Sequence, residues 1–349
     1  MARQDVYYAD YLQLDKILDA QYPESDKEGI EAHDEMLFIV IHQAYELWFK
    51  QILFEVDSIA KIMSKSEIND NAPDLHVITH RLERVKKILE VLVQQIDIIE
   101  TMTPLDFLDF RDLLRPASGF QSIQFKFLEA RLGLKFKDRH GKDYYISHLK
   151  EEDKKKVADM ESKQSLTELI NDWLERLPFF DDDKYWDDYK SVTEASPEMH
   201  KFWSDYRSLY QDGLLDAEKG NVNMFDKLFF DQEFCKDNSL SPLANRRALF
   251  IMLYRDMPLF TLPHKLLTQL LDLDELLSLW RFRHVNMVHR IIGTRVGTGG
   301  SSGKDYLRAA MDKHYIFKDV AQLTSFLIPR AKLPELSKTL VDQLSFEHH

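Results

Sequence analysis

Two histidines stand where a helix would otherwise be apolar. His42 falls between Phe38 and Tyr45, and His284 between Trp280 and Met287, each at helical spacing. Burying an imidazole costs free energy unless its nitrogens find a hydrogen bond or a metal. Two readings follow: separate core histidines bonded to backbone carbonyls, or two sides of one pocket. No histidine has Asp or Glu three residues before it, and HExxH is absent, so the familiar helical metal motifs are missing. His76 and His80 form an i,i+4 pair, but they lie off their helix's apolar stripe, as on a solvated face. One buried histidine with an apolar surround is nevertheless enough to hold a haem iron. Arg111, one turn after Phe107, either pairs with a neighbour such as Asp109 or Asp112 or clamps a substrate carboxylate through two N–H bonds. Five of the chain's 11 glycines lie between Gly293 and Gly303. That segment matches neither the P-loop nor the dinucleotide fingerprint. It reads as a flexible linker or as a loop whose backbone approaches an anionic or zwitterionic ligand.

These residues need long helices to position them, and the periodicity supplies such helices. Phe38, His42, Tyr45, Phe49, Ile52, Val56, Ile59 and Met63 alternate in steps of four and three, which predicts a helix of roughly eight turns over 34–63. Leu37, Ile41, Ala44 and Trp48 make its adjoining face apolar, so a central helix is expected. A second stripe follows Pro73, from Leu75 to Ile99. Thr103-Pro104 reads as an N-cap with proline in the first turn, opening a short helix that Pro116 stops. Residues 121–132 look helical, and 135–145 read as a loop or small hairpin. A final apolar block runs from Pro242 to Ile292, with breaks expected near Pro258 and Pro263. The expected architecture is all-α: a single domain over 1–349 with a helical bundle core and a peripheral helical subdomain at about 178–240.

Composition narrows the function. With 46 basic and 59 acidic side chains the formal charge is −13, which argues against nucleic acid or an anionic membrane as partner. A single cysteine, Cys235, excludes a disulfide framework, multi-cysteine zinc sites and covalent haem attachment. No signal-peptide core and no uninterrupted run of ~18 apolar residues is evident, so a cytoplasmic location is expected.

Several segments read together carry a resemblance. They are Tyr8-Ala-Asp-Tyr11-Leu-Gln-Leu-Asp, the run from His33 to Lys50, Phe107-Leu-Asp-Phe-Arg111, Arg115 to Ser122, Trp280-Arg-Phe-Arg-His284 and Gly297-Thr-Gly-Gly-Ser-Ser-Gly303. Over nearly the whole chain they resemble the tryptophan 2,3-dioxygenase family, less distinctly at about 135–240. The resemblance implies a homotetramer with one non-covalent haem b per subunit. It further implies cleavage of the indole C2–C3 bond of L-tryptophan by O2, giving N-formyl-L-kynurenine. Position by position, it implies that His284 is the proximal iron ligand, preferred over its rival His289 by the spacing from Trp280. His42 becomes the distal residue that hydrogen-bonds the indole N–H. Phe38, Ile39, Val40, Ile41, Phe107 and Leu114 would line the substrate pocket. Arg111 would clamp the carboxylate, and Thr298 would hold the carboxylate and ammonium. Tyr8 and Tyr11 would reach into a neighbouring subunit's site through an exchanged N-terminal segment. The competing expectations are a haem-binding sensor or carrier without turnover, and an all-helical interaction scaffold.

Overall fold

The computed structural model describes residues 5–65, 73–136, 139, 147–193, 199–293, 295 and 314–345. Numbered among these, the helices are α1 (Tyr8–Leu12), α2 (Leu14–Leu18), α3 (Glu24–Glu28), α4 (Asp34–Met63), α5 (Pro73–Ile99), α6 (Pro104–Phe110) and α7 (Ile123–Leu132). There follow α8 (Glu151–Ser162), α9 (Leu166–Glu175), α10 (Lys201–Gly213), α11 (Asn221–Phe230) and α12 (Pro242–Leu253). The last are α13 (Thr261–Ile292), α14 (Lys318–Gln322) and α15 (Lys338–Leu344). No strand occurs among the described residues, so the all-α expectation holds. No helix among them is long and apolar enough to cross a membrane.

Three long helices form the frame, with α5 packed against both α4 and α13, and α7 against α4. The predicted stripes do the packing. Ile52, Val56 and Ile59 of α4 meet Leu75, Ile78 and Leu82 of α5 and Leu266, Leu270 and Leu273 of α13 in one core, all fully buried. Each such side chain contributes about 1.5–3 kcal/mol relative to exposure. Arg283 of α13 adds charged ties, at 2.6 Å to Asp97 of α5 and 3.3 Å to Glu100 just after it.

The structure departs from the sequence reading at three places. Pro263 does not break α13 but sits in its first turn, where the missing N–H would have had no intrahelical acceptor anyway. The short helix opened at Thr103 stays α-helical only to Phe110 and then tightens into a 3-10 turn, Arg111–Leu114. One face of α4 is less covered than a central helix should be: Val40, Leu47 and Phe54 are 46, 54 and 70% exposed. Their spacing of seven aligns them as one uncovered apolar stripe. The expected loop at 135–145 lies largely outside the described residues.

Candidate functional site

Beside the main core lies a second apolar cluster. Ile41 of α4, Ile96 and Ile99 of α5, Phe107 and Phe110 of α6, and Met287 and Ile291 of α13 are buried in it, with Phe38, Leu114 and Trp280 packed against them. It gathers the chain's two stripe histidines, contributed by α4 and α13.

The α6 side is built by its cap. Thr103 Oγ1 accepts the Asp106 N–H at 3.3 Å, and Asp106 Oδ2 accepts the Thr103 N–H at 2.8 Å. This capping box fixes where the helix starts, and hence that Phe107 and Phe110 share a face. Phe38, Phe107 and Phe110 then form a triangle of rings, with centroids 5.4–5.7 Å apart. The 3-10 turn that follows carries Arg111 inward, to 5% exposure.

His42 lies against Phe38, ring centroids 4.1 Å apart. Its Nδ1 is 2.6 Å from the Phe38 carbonyl oxygen. A carbonyl only accepts, so Nδ1 carries the proton, and the neutral ring keeps Nε2 as an acceptor. The ring is accessible, yet surrounding protein desolvates it. Burial holds its imidazole below the ordinary value, against the opposing pull of the Phe38 carbonyl and Glu46.

His284 is fixed from the other side. Its ring stacks parallel to Trp280, one turn earlier, at 5.2 Å and 4°. Trp280 is itself held edge-on by Phe49 at 6.3 Å and tilted against Phe125 at 5.0 Å, which ties the site to the main core. Burial and the field of His42 hold the His284 imidazole down to about 4, so it is neutral at pH 7 with a lone pair to offer. The field of His42 at His284 places the two histidines within electrostatic range of one another.

A buried ionic group anchors this end of α13. Arg281 Nη2 donates to Glu129 Oε1 at 2.8 Å, Arg139 Nη1 to Glu129 Oε2 at 2.5 Å, and Arg281 Nη1 to the His314 carbonyl at 3.1 Å. Burial alone would raise the Glu129 carboxyl, but Arg139 and Arg281 hold it down to about 2. His314 is thereby pinned to the His284 helix. Asp274 reinforces the tie by accepting the Ile316 and Phe317 N–H groups. Gly293, which ends α13, has φ +60°, a conformation that L side chains rarely adopt.

His42, His284, Phe38, Ile41, Phe107 and Leu114 thus come together, with Arg111 buried at the start of the 3-10 turn that ends at Leu114. Ile39 is half-buried, and Val40 faces away from the cluster, 46% exposed. Tyr8 and Tyr11 are each 75% exposed. Thr298 lies outside the described residues. His289, the rival ligand, is exposed, as are His76 and His80. Sequence reasoning missed Phe110 and the Arg281–Glu129–Arg139 group. Phe110 was detectable as the i+3 partner of Phe107. The ionic group joins residues 152 positions apart and left no local signal.

A pH dependence follows. Burial holds His42, His200 and His284 below 6.5, the latter two at about 4. Between these limits the unfolded chain binds more protons than the folded one, so the haem-free protein loses stability as pH falls from 6.5 through about 4. His200 and His284 each contribute on the order of 1 kcal/mol per pH unit across that window. Denaturation midpoints measured from pH 7 to pH 4 should fall more steeply for the native chain than for His284→Leu. Parallel curves would contradict the assignment of a desolvated neutral His284.

Known proteins match this chain along its length. A family model described as tryptophan 2,3-dioxygenase matches residues 1–327. The tryptophan 2,3-dioxygenase of Bdellovibrio bacteriovorus is 42% identical, covering 98% of this chain and 99% of that protein. That of Alteromonas mediterranea is 43% identical with 97% of each covered. The Dictyostelium discoideum protein of the same name is 43% identical over 99% of this chain and 89% of its own length.

Proposed function

The chain belongs to the tryptophan 2,3-dioxygenase family, and on that premise we propose that it binds one haem b through His284 and uses O2 to open the C2–C3 bond of the indole ring of L-tryptophan, giving N-formyl-L-kynurenine. The observation that carries the reading is the pairing of two desolvated histidines, on separate helices, beside one apolar, aromatic cluster. The residues suit the cofactor. No group of three or more His, Cys, Asp or Glu side chains that could hold a metal ion occurs among the described residues. A haem iron needs only one protein ligand, and a neutral, ring-stacked imidazole is already in place at His284. Bound haem supplies the iron centre that activates O2.

The protein's share is positioning. His42 offers Nε2 as an acceptor for the indole N–H, because Phe38 occupies its Nδ1 proton. An indole N–H is a very weak acid, so this contact orients the ring and enriches its electron density without removing the proton. Phe38, Phe107 and Phe110 provide aromatic walls for the indole and keep water from its reacting edge. Arg111 presents a planar fork suited to the carboxylate, and Thr298, outside the described residues, would hold the carboxylate and ammonium. Holding both ends of the amino acid aligns C2=C3 with the oxygen, where proximity contributes most.

The same reading places the chain in a homotetramer, with Tyr8 and Tyr11 reaching towards a neighbouring site. It is supported by their exposure and by the uncovered stripe Val40, Leu47 and Phe54. A solution mass equal to the 41.2 kDa monomer would remove this part.

The direct test is turnover. The ferrous, haem-loaded protein should consume one O2 per L-tryptophan and develop the product's near-ultraviolet absorbance. Haem binding without tryptophan-dependent O2 uptake would instead establish the sensor or carrier reading.

A further inference from the structure

A recess of about 190 Å³ lies between residues 180–181, the start of α10, the end of α11 and α12. None of its lining residues belongs to the cluster around His42 and His284. It is smaller than the roughly 300–1,000 Å³ typical of sites for drug-sized ligands. Arg247 lines it and is 1% exposed. Its Nη2 donates to both carboxylate oxygens of Asp181 at 2.9 Å, and its guanidinium lies 4.9 Å from the Phe180 ring. Arg247 Nε and Nη1 have no hydrogen-bond partner among the described residues. Arg246 follows the same pattern: its Nη1 donates to the Phe229 carbonyl and its guanidinium sits 5.0 Å from the Phe230 ring. No carboxylate pairs with it among the described residues. Burial and the charge of Arg247 hold the Arg246 guanidinium down to about 10.

His200 adds a neutral donor. Its Nδ1 accepts the Phe202 N–H at 3.2 Å, so its proton resides on Nε2. Two guanidinium groups, Arg247 buried and Arg246 partly buried, thus face Asp181, whose side chain is 65% exposed, with Asp183 near enough to act on His200. Such a local excess of positive charge favours a bound anion. Phe180 and Trp203 stack on one another at 5.5 Å and 28° and each stacks on a second ring, Trp186 and Phe229, so the apolar lining left to a ligand is Met199, Phe230 and Leu243. Those side chains would strip water from a phosphate without replacing it, but they suit a hydrocarbon body.

We propose that this recess is a binding site for a small monocarboxylate with a compact apolar body, its carboxylate on Arg246 and His200 and its body against Met199, Phe230 and Leu243. The site stands apart from the tryptophan reaction, and its test does not depend on the haem assignment. Benzoate titrated into the full-length, haem-loaded protein should raise the thermal midpoint and give a saturable calorimetric isotherm, whereas benzyl alcohol and inorganic phosphate should not. Arg246→Gln should weaken benzoate at least 10-fold while tryptophan turnover is unchanged. Asp181→Asn, which removes the internal counter-ion, should tighten it. Arg111→Ala should leave the affinity unaltered. The proposal fails if no saturable binding is seen, or if phosphate or benzyl alcohol binds as well as benzoate. It also fails if Arg111→Ala abolishes binding and Arg246→Gln does not, since that places benzoate in the tryptophan site.

Discussion

Replacing His284 by alanine should yield a folded but colourless protein without a Soret band. His284 is the one neutral imidazole that the Trp280 stack holds rigid beside the apolar cluster, and no multi-residue metal group among the described residues stands ready to replace it. His289 is exposed and five residues further along α13, about 140° round the helix, so His289→Ala should keep its haem. The fold should survive, because the stripes that pack α13 against α5 lie mainly in Leu266–Leu277. Free imidazole added to the variant should partly restore the Soret band, which separates loss of a ligand from loss of the fold. A full Soret band in the untreated variant would move the ligand elsewhere.

Arg111→Ala is the second large effect. Hydrogen bonds to a charged group contribute about 1.5–3 kcal/mol, so the KM for L-tryptophan should rise about 10- to 150-fold at 1.4 kcal/mol per decade. Carboxylate-free indoles should lose far less. Arg111→Lys keeps the charge but not the planar fork and should recover only part of the loss. Because Arg111 is buried, the variant's denaturation midpoint must be measured alongside. Equal losses for tryptophan and for carboxylate-free indoles, with the fold intact, would rule out the clamp.

The arrangement of the site explains why some of it could be read early. His42 and His284 announced themselves because each is a polar break in a helical stripe, a pattern confined to about two turns of chain. Phe38 and Phe107 lay on such stripes too. Arg111 was visible as a residue, but its inward turn was not. That depends on the 3-10 tightening after Phe110, where Phe107 and Phe110 pack under Phe38. The stack of Trp280 on His284 was implicit in their i,i+4 spacing. The support beneath it was not, since Glu129, Arg139 and Arg281 come from three separate stretches of chain.

The same division runs through the whole molecule. By itself the amino-acid sequence determined that the chain is helical, where α4 and α5 run, how α6 is capped and which histidines are out of place. Each of these depends on spacing, caps and proline within a few turns, and such interactions act before the chain has folded. Only the tertiary structure decided that His42 and His284 share a cluster, that Pro263 is harmless in a first turn, and that one apolar stripe of α4 is left uncovered. It also decided that two arginines converge on Glu129 and two others line a distant recess. Those outcomes depend on which helix faces lie against one another. Burial then sets which charges are desolvated, and no local pattern of residues encodes that.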